Sequence, residues 1–185
     1  MQLGLDTIEH YYLPIEESIC NWIFKDEHGK EPTEEHKDQI KALNREASLF
    51  LWNFESNSRI ECSRQHFKSV STFNQATAGK PAIKKYLYQL GIPFRQKVMI
   101  AFQPERGFVL TWKMVIKYAH RLFWAHDQTV WDKTMNWKLE YHHDGEFTFG
   151  KDLIYDGQQV MLDNRLMLEQ ALKEMEERKR NKDSY

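Results

Sequence analysis

The segment at residues 137–149 constrains the fold most, because its hydrophobic alternation fits one hairpin register. It reads Trp-Lys-Leu-Glu-Tyr, then His-His-Asp-Gly, then Glu-Phe-Thr-Phe. A two-residue Asp-Gly turn would place both phenylalanines on the wrong face. A three-residue His-Asp-Gly loop, with Gly145 left-handed in a bulge, keeps one face apolar throughout. This register pairs Tyr141 with Phe147 and Leu139 with Phe149.

A second pair of strands is predicted upstream of this hairpin. Residues 98–102 form a continuous apolar run that is too short for a helix and fits a strand buried on both faces. The Pro-Glu-Arg-Gly sequence that follows favours a turn, so residues 108–110 are expected to pair back. Residues 55–80, which precede these strands in the sequence, show weak hydrophobic periodicity, and we predict a loop there that carries a short helix.

Apolar residues at spacings of three and four predict the helices. They are expected at 33–54, 81–90 and 111–124, and again near the C-terminus, with Thr33 and Thr111 as caps. The sequence therefore predicts an α+β domain, with a small, mainly antiparallel sheet from residues 98–110 and 137–149 packed by about four helices. We expect one domain over residues 1–160 and a charged helix over 161–185 whose end frays.

Composition sets limits on function. The 185 residues carry 26 Lys and Arg against 27 Asp and Glu, so no global field would gather nucleic acid or an anionic membrane. No run approaches the roughly 20 apolar residues of a membrane span, and the first residues lack the pattern of a signal peptide. We expect a cytoplasmic protein that does not bind membranes, with Cys20 and Cys62 as reduced, buried thiols.

Histidines are the first candidate catalytic residues. Imidazole with a nearby carboxylate, as at Asp127 and Asp144, suits zinc or iron. The sequence contains neither a His-x-x-x-His nor a Cys-x-x-Cys pair, and neighbouring strand residues point to opposite faces unless a bulge turns them. A solvated hairpin tip is the simpler interpretation, so we expect no metal. If the protein is an enzyme, the candidate residues are His120, His126, His142 and His143.

Other catalytic and binding patterns are weak. Ser63 and His66, or a thiol with a distant histidine, lack a nucleophile elbow and a Gly-rich oxyanion loop. No phosphate-binding Gly-rich fingerprint occurs, so we expect no nucleotide cofactor. Residues 80–97 interleave lysines and an arginine with tyrosines and could bind phosphates and stack bases. A solvated helix face beside core tyrosines is the simpler interpretation of that stretch, and nucleic acid is an unfavoured partner.

Aromatic residues are dense between the third predicted helix and the hairpin. Phe123, Trp124, Trp131 and Trp137 fill the core there in the simpler interpretation, although Trp is also a favoured anchor in protein interfaces. Acids beside these rings would suit a basic nuclease partner through electrostatic complementarity. The candidate partner-binding residues are Asp127, Trp131, Asp132 and Glu146.

Several short motifs resemble those of small standalone bacterial proteins of unknown function. They are Trp22-Ile-Phe24, Ile40-Lys41, Leu51-Trp52, Thr111-Trp112 and Asp144-Gly-Glu-Phe-Thr-Phe-Gly150. The general style is also similar to that of immunity proteins that neutralise toxins delivered by neighbouring cells. The resemblance spans residues 20–150 and carries no functional residue across. It implies a cytosolic protein that acts by binding.

The sequence thus leaves three hypotheses. The first is a non-enzymatic binding protein with a protein partner, in the form of an immunity protein that occludes a toxin. The second is a metal- or histidine-dependent hydrolase or nuclease. The third is a nucleic-acid-binding protein that uses residues 80–97. Oligomeric state and partner identity stay open at this point.

Overall fold

The computed structural model describes residues 2–26, 28–75, 80–124 and 126–157, together with Gln170 and Lys173. The chain divides into two compact units, Met1–Ile154 and Tyr155–Tyr185. Every strand and helix described below belongs to the first unit. The charged helix predicted over residues 161–185 lies outside the described residues, apart from Gln170 and Lys173, whose backbone is helical.

An antiparallel sheet forms the centre of the first unit and confirms the α+β class. Its order is β1-β2-β5-β4-β6-β7-β8-β3, and each neighbouring pair is antiparallel. The sheet is larger than the two predicted hairpins because β1, β2, β3 and β6 extend it. The strands are β1 (Tyr12–Leu13), β2 (Ile40–Leu43), β3 (Phe67–Asn74), β4 (Lys97–Gln103), β5 (Arg106–Thr111), β6 (Gln128–Trp131), β7 (Trp137–His142) and β8 (Glu146–Leu153).

Helices pack on this sheet. The predicted helices at 81–90 and 111–124 are confirmed, although the second ends slightly earlier, at Leu122. Within the described ranges, no helix has both the length and the apolar character needed to cross a membrane. The α-helices are α1 (Glu34–Lys37), α2 (Arg45–Ser58), α3 (Lys80–Gln89) and α4 (Trp112–Leu122), and short 3-10 helices occupy Ile8–Tyr11, Ile15–Glu17 and Asn21–Phe24.

The β7–β8 hairpin has the register that the sequence predicts. Tyr141 lies opposite Phe147, and Leu139 lies opposite Phe149. The loop contains three residues, and Gly145 has φ 94°, a left-handed conformation that costs glycine little. The Gly145 N–H donates to the His142 carbonyl at 2.9 Å and closes the turn.

The single helix predicted at residues 33–54 is wrong. The chain instead forms the one-turn helix α1, strand β2 and then helix α2. Asn44 separates strand from helix, because its side chain accepts a hydrogen bond from the Ala47 N–H at 2.9 Å and caps α2. Ile40 and Leu43 were misassigned because apolar residues three apart fit a helix stripe, while pairing with β5 places Ile40 opposite Leu110.

The loop with a short helix predicted at residues 55–80 is also wrong over much of its length. Residues Phe67–Asn74 form β3, which pairs with β8 at the end of the sheet. An edge strand exposes much of its surface, so its sequence can be largely polar and carry little apolar alternation. Phe67 is the exception, since it is fully buried against Gly150 of β8.

Two apolar layers cover the sheet on opposite faces. On one face, α3 and α4 bury Leu87 and Trp112 against Ile100 and other strand residues. On the other face, α2 packs on β4 and β5, where its Leu51 lies in a cluster with Met99. This arrangement follows from strand alternation, because adjacent residues of the apolar run at 98–102 in β4 face opposite layers.

Candidate functional site: an acidic cleft on strands β6 to β8

A cleft of about 400 Å³ opens on the sheet beyond the strands that α2 covers. Leu139 and Phe149 point into the apolar core, so strand alternation directs their neighbours Glu140 and Thr148 to the opposite face. Glu140 lies opposite Thr129 in β6 and opposite Thr148 in β8. These three polar residues line the floor of the cleft.

Carboxylates dominate the chemistry of the cleft. Asp127, Glu140, Asp144 and Glu146 line it with His142, and no lysine or arginine is among the described residues that do so. A hydrogen bond from the His143 ring lowers the pKa of Asp127 below its usual value. The Glu146 N–H, followed by the His142 ring, lowers the pKa of Asp144. Both aspartates are therefore ionised at neutral pH, and the cleft presents concentrated negative charge.

A buried lysine anchors the floor of this acidic cleft. Lys138 has a side chain that is 4% exposed, and its Nζ lies 3.0 Å from a carboxylate oxygen of Glu55 in α2 and 3.0 Å from one of Glu140. Burial works to lower the pKa of Lys138, but the two carboxylates outweigh it and the pKa is raised. The Cys62 N–H also donates to both oxygens of Glu140, at 3.2 Å each. Glu140 is thus held in place from two sides.

Two histidines and an aspartate converge at the rim of the cleft. The bulged loop brings the His142 and His143 rings to 4.4 Å between centroids, with an interplanar angle of 36°. Asp127 Oδ1 accepts hydrogen bonds from the His143 N–H at 2.8 Å and from the His143 ring Nδ1 at 2.9 Å. Its other oxygen lies 3.8 Å from His142 Nε2, and His142 Nδ1 lies 3.1 Å from Asp144.

The four candidate catalytic histidines do not form one site. His142 and His143 meet Asp127, and one potential ligand atom from each of the three lies within 4.8 Å of the others. His120 lies partly buried on α4, which belongs to the opposite layer, and exposed His126 makes a ring contact with Phe102. The structure therefore brings together two of the four, beside a carboxylate.

The candidate partner-binding residues are divided between the core and the cleft. Trp131 is fully buried in the apolar cluster that contains Leu51 and Met99, and Asp132 is buried and accepts a hydrogen bond from Trp137 Nε1 at 3.0 Å. Asp127 and Glu146 both line the cleft. Phe123 and Trp137 also fill the core, whereas Trp124 is 65% exposed.

Sequence analysis did not select Glu140 or Asp144 for the partner-binding patch. A signal for Glu140 was present, because the predicted hairpin register already placed it on the polar face, three residues before the bulged loop. Asp144 was noted only as a neighbour of the histidines. Its role follows from the loop, where its carboxylate accepts the Glu146 N–H at 3.1 Å.

The other nucleophile candidates lack an activated arrangement. Burial and the Glu140 charge raise the pKa of Cys62 to about 12, so its thiol stays protonated at neutral pH. Cys20 is also buried, and both thiols are free. His66 Nδ1 lies 2.9 Å from the Glu61 N–H and 3.4 Å from the Ser63 hydroxyl. The shorter contact occupies the lone pair that a general base would need for Ser63.

The basic stretch at residues 80–97 has mixed exposure. Tyr86 stacks on Phe73 with 4.5 Å between ring centroids and packs against the core. Tyr88 is 65% exposed and contacts Phe94, while Lys97 pairs with Glu9 at 3.3 Å. Tyr88 and lysines of this stretch are exposed, whereas Tyr86 packs against the core, as the simpler interpretation of the sequence expected.

No known family model matches this chain, and neither a curated protein nor a solved structure matches it. The function must therefore be argued from the chemistry of the site itself.

Proposed function

We propose that this chain is a non-enzymatic binding protein whose acidic cleft receives a basic segment of a protein partner. The observation that carries the proposal is the convergence of Asp127, Glu140, Asp144 and Glu146 on one concave surface. The whole chain has a net charge of −1, so this negative field is local to the cleft. A local field of one sign steers a partner of the opposite sign and suppresses wrong partners.

The cleft has a suitable size for a few side chains of a partner. About 400 Å³ accommodates one or two extended Lys or Arg side chains, not a folded surface. The threonines of the floor offer hydroxyl acceptors to a guanidinium or ammonium group. A basic loop inserted between Asp127 and Glu146 would thus meet both charge and hydrogen-bond partners.

A basic nuclease toxin is the partner class we favour within this proposal. Such an enzyme presents cationic residues to phosphates, and an acidic cleft that covers them would occlude its substrate. The resemblance to immunity proteins points in the same direction. In this form the protein acts in the cytoplasm by neutralising the toxin.

The test compares partner capture by the tagged wild-type chain with capture by the double variant Asp127→Asn and Glu146→Gln. Both substitutions preserve shape and remove charge from exposed side chains. We expect a stoichiometric protein from lysate of the natural source, identified by mass spectrometry, to bind the double variant about tenfold more weakly. The affinity of the wild type should also fall as salt is added.

A matched control removes two acids far from the cleft in sequence and outside its lining, Glu17→Gln with Glu46→Gln. This control should bind the same partner as tightly as the wild type. Equal affinity of the cleft variant, the control and the wild type would reject the acidic cleft as the binding surface.

A histidine-dependent nuclease is the second candidate function. It is favoured by the meeting of His142, His143 and Asp127, the kind of convergence that an acid–base pair requires. If this candidate holds, the wild-type chain cleaves single-stranded RNA or DNA, and His142→Gln with His143→Gln lowers the rate at least a hundredfold. No cleavage by the wild type above a buffer blank, over a range of pH, would remove it.

A further inference from the structure

We propose that Asp127, His142 and His143 bind a divalent transition-metal ion at the rim of the cleft, and Zn²⁺ is the ion used to test it. The inference does not depend on the partner argued above. It rests on two imidazoles and one carboxylate that the fold brings together from the residue before β6, the last residue of β7 and the first residue of the β7–β8 loop. Nitrogen donors select zinc, nickel, copper or iron over magnesium and calcium, which prefer oxygen donors.

The backbone of the loop is what makes the two histidines neighbours. Consecutive residues of a regular strand point to opposite faces, so they could not share an ion. Here His142 ends β7 and His143 begins the bulged loop, and their ring centroids lie 4.4 Å apart. The left-handed Gly145 closes this loop, so the pair of rings depends on the three-residue turn.

Asp127 is fixed beside these rings by the β6–β7 pairing. Gln128 lies opposite Tyr141, which brings the preceding Asp127 next to the loop. The His143 N–H donates to Asp127 Oδ1 at 2.8 Å and holds the carboxylate in place without using a ring nitrogen. The position of Asp127 relative to the two histidines is therefore set by strand pairing and a backbone hydrogen bond.

The contact distances are close to those of ligands that share an ion. Bonds of about 2.0–2.2 Å in a tetrahedral site place neighbouring donor atoms about 3.3–3.5 Å apart. The two contacts of Asp127 bracket this value, at 2.9 Å to His143 Nδ1 and 3.8 Å to His142 Nε2. The ion displaces the proton that His143 Nδ1 donates to Asp127 in the metal-free chain, and that proton is released to solvent. The side chains are more than half exposed, so small rotations can adjust the remaining separation. Water supplies the other coordination position.

Asp144 acts as a positioning residue for His142. Its carboxylate lies 3.1 Å from His142 Nδ1, which places the ring proton on that nitrogen. The lone pair of Nε2 is then directed toward Asp127 and is free to bind an ion. A carboxylate that orients a histidine in this way is a regular feature of zinc sites, and its loss weakens metal affinity about 10- to 100-fold.

The test is calorimetric titration of the chelator-treated, dialysed full chain with ZnCl₂. We expect one Zn²⁺ per chain, with binding at least thirtyfold weaker in the variant His142→Gln with His143→Gln, and about tenfold weaker in Asp144→Ala. Millimolar Mg²⁺ or Ca²⁺ should not displace the ion. The control His10→Gln with His28→Gln removes two exposed histidines elsewhere and should leave the affinity unchanged.

A second measurement uses the wild type alone, so that it does not depend on variant folding. Imidazole proton resonances of His142 and His143 should shift on Zn²⁺ addition, while those of His10 and His28 stay in place. Unchanged His142 and His143 resonances, or equal zinc affinity in the His142→Gln and His143→Gln variant, would overturn the proposal.

Discussion

Replacing Lys138 with methionine should lower the free energy of unfolding by about 3 kcal/mol. The substitution removes a buried ammonium group that lies 3.0 Å from carboxylates of both Glu55 and Glu140. Those carboxylates would then face each other without a cation, and the Ile60 carbonyl would lose the hydrogen bond it accepts from Lys138. The expected loss lies at the lower end of the range for breaking a buried ion pair, because the side chains of the two glutamates remain partly exposed to solvent.

Urea denaturation followed by circular dichroism measures this loss, and the thermal midpoint should fall by about 6–12 °C. The exposed Lys85→Met serves as the matched control and should change stability by less than about 0.5 kcal/mol. The double variant Lys138→Met with Glu55→Gln should lose less unfolding free energy than the sum of the two single variants, because the second change removes one carboxylate that the first leaves unpaired. A Lys138→Met variant as stable as Lys85→Met would contradict the assigned ion pairs.

The Lys138 ion pairs should persist across neutral pH. Because the folded-state pKa of this lysine is raised, its contribution is fully present below the unfolded-state pKa. It is lost only as the pH rises through the folded-state value. The stabilisation from Lys138 therefore fades as the solution becomes alkaline.

Gly150→Ala is expected to destabilise the protein by about 3 kcal/mol. A Cβ atom at this position would overlap the ring of Phe67, which is fully buried. The backbone of Gly150 is also paired with Val70, so β8 cannot move away from the ring without breaking the β3–β8 ladder. The conformation of the glycine is not the reason, because its φ lies outside the left-handed region.

Equilibrium unfolding in urea measures the Gly150→Ala effect. Gly4→Ala is the control, because the nearest atom to its new Cβ would be Thr7 Oγ1 at an ordinary 3.9 Å. Adding Phe67→Leu to Gly150→Ala should recover part of the loss, since the smaller side chain makes room for the methyl group. If Gly150→Ala and Gly4→Ala are equally stable, the packing of β3 on β8 differs from the one described.

Sequence reasoning succeeded where a pattern had one physical solution. The alternation in residues 137–149 fits one register, and the structure has that register. It failed at β2, because the positions of Ile40 and Leu43 fit a helical stripe and a strand equally well. The prediction also overlooked Asn44 as the residue that caps α2 and so ends the strand. Strand β3 was missed because an edge strand needs little apolar alternation.

Most residues of the site were predicted individually, but their convergence at one place was not. Asp127 and the hairpin histidines were identified as chemically capable residues, yet their meeting depends on β6, a strand that sequence analysis did not predict. The same omission explains why Trp131 was included in the partner-binding patch, since strand β6 buries it in the apolar cluster that also contains Leu51 of α2. Pairing between strands is a long-range property, so local periodicity alone could not supply it.

The position of β3 has a consequence for how copies of this protein meet. An open sheet offers its last strand as a template on which another chain can add, and unchecked addition leads to aggregates. Strand β3 carries an exposed Lys68 and three small polar residues, Ser69, Ser71 and Thr72. At the other end of the sheet, β1 spans two residues. A charged edge and a very short edge both disfavour strand addition. The same polarity that concealed β3 in the sequence thus helps to keep neighbouring copies from extending the sheet.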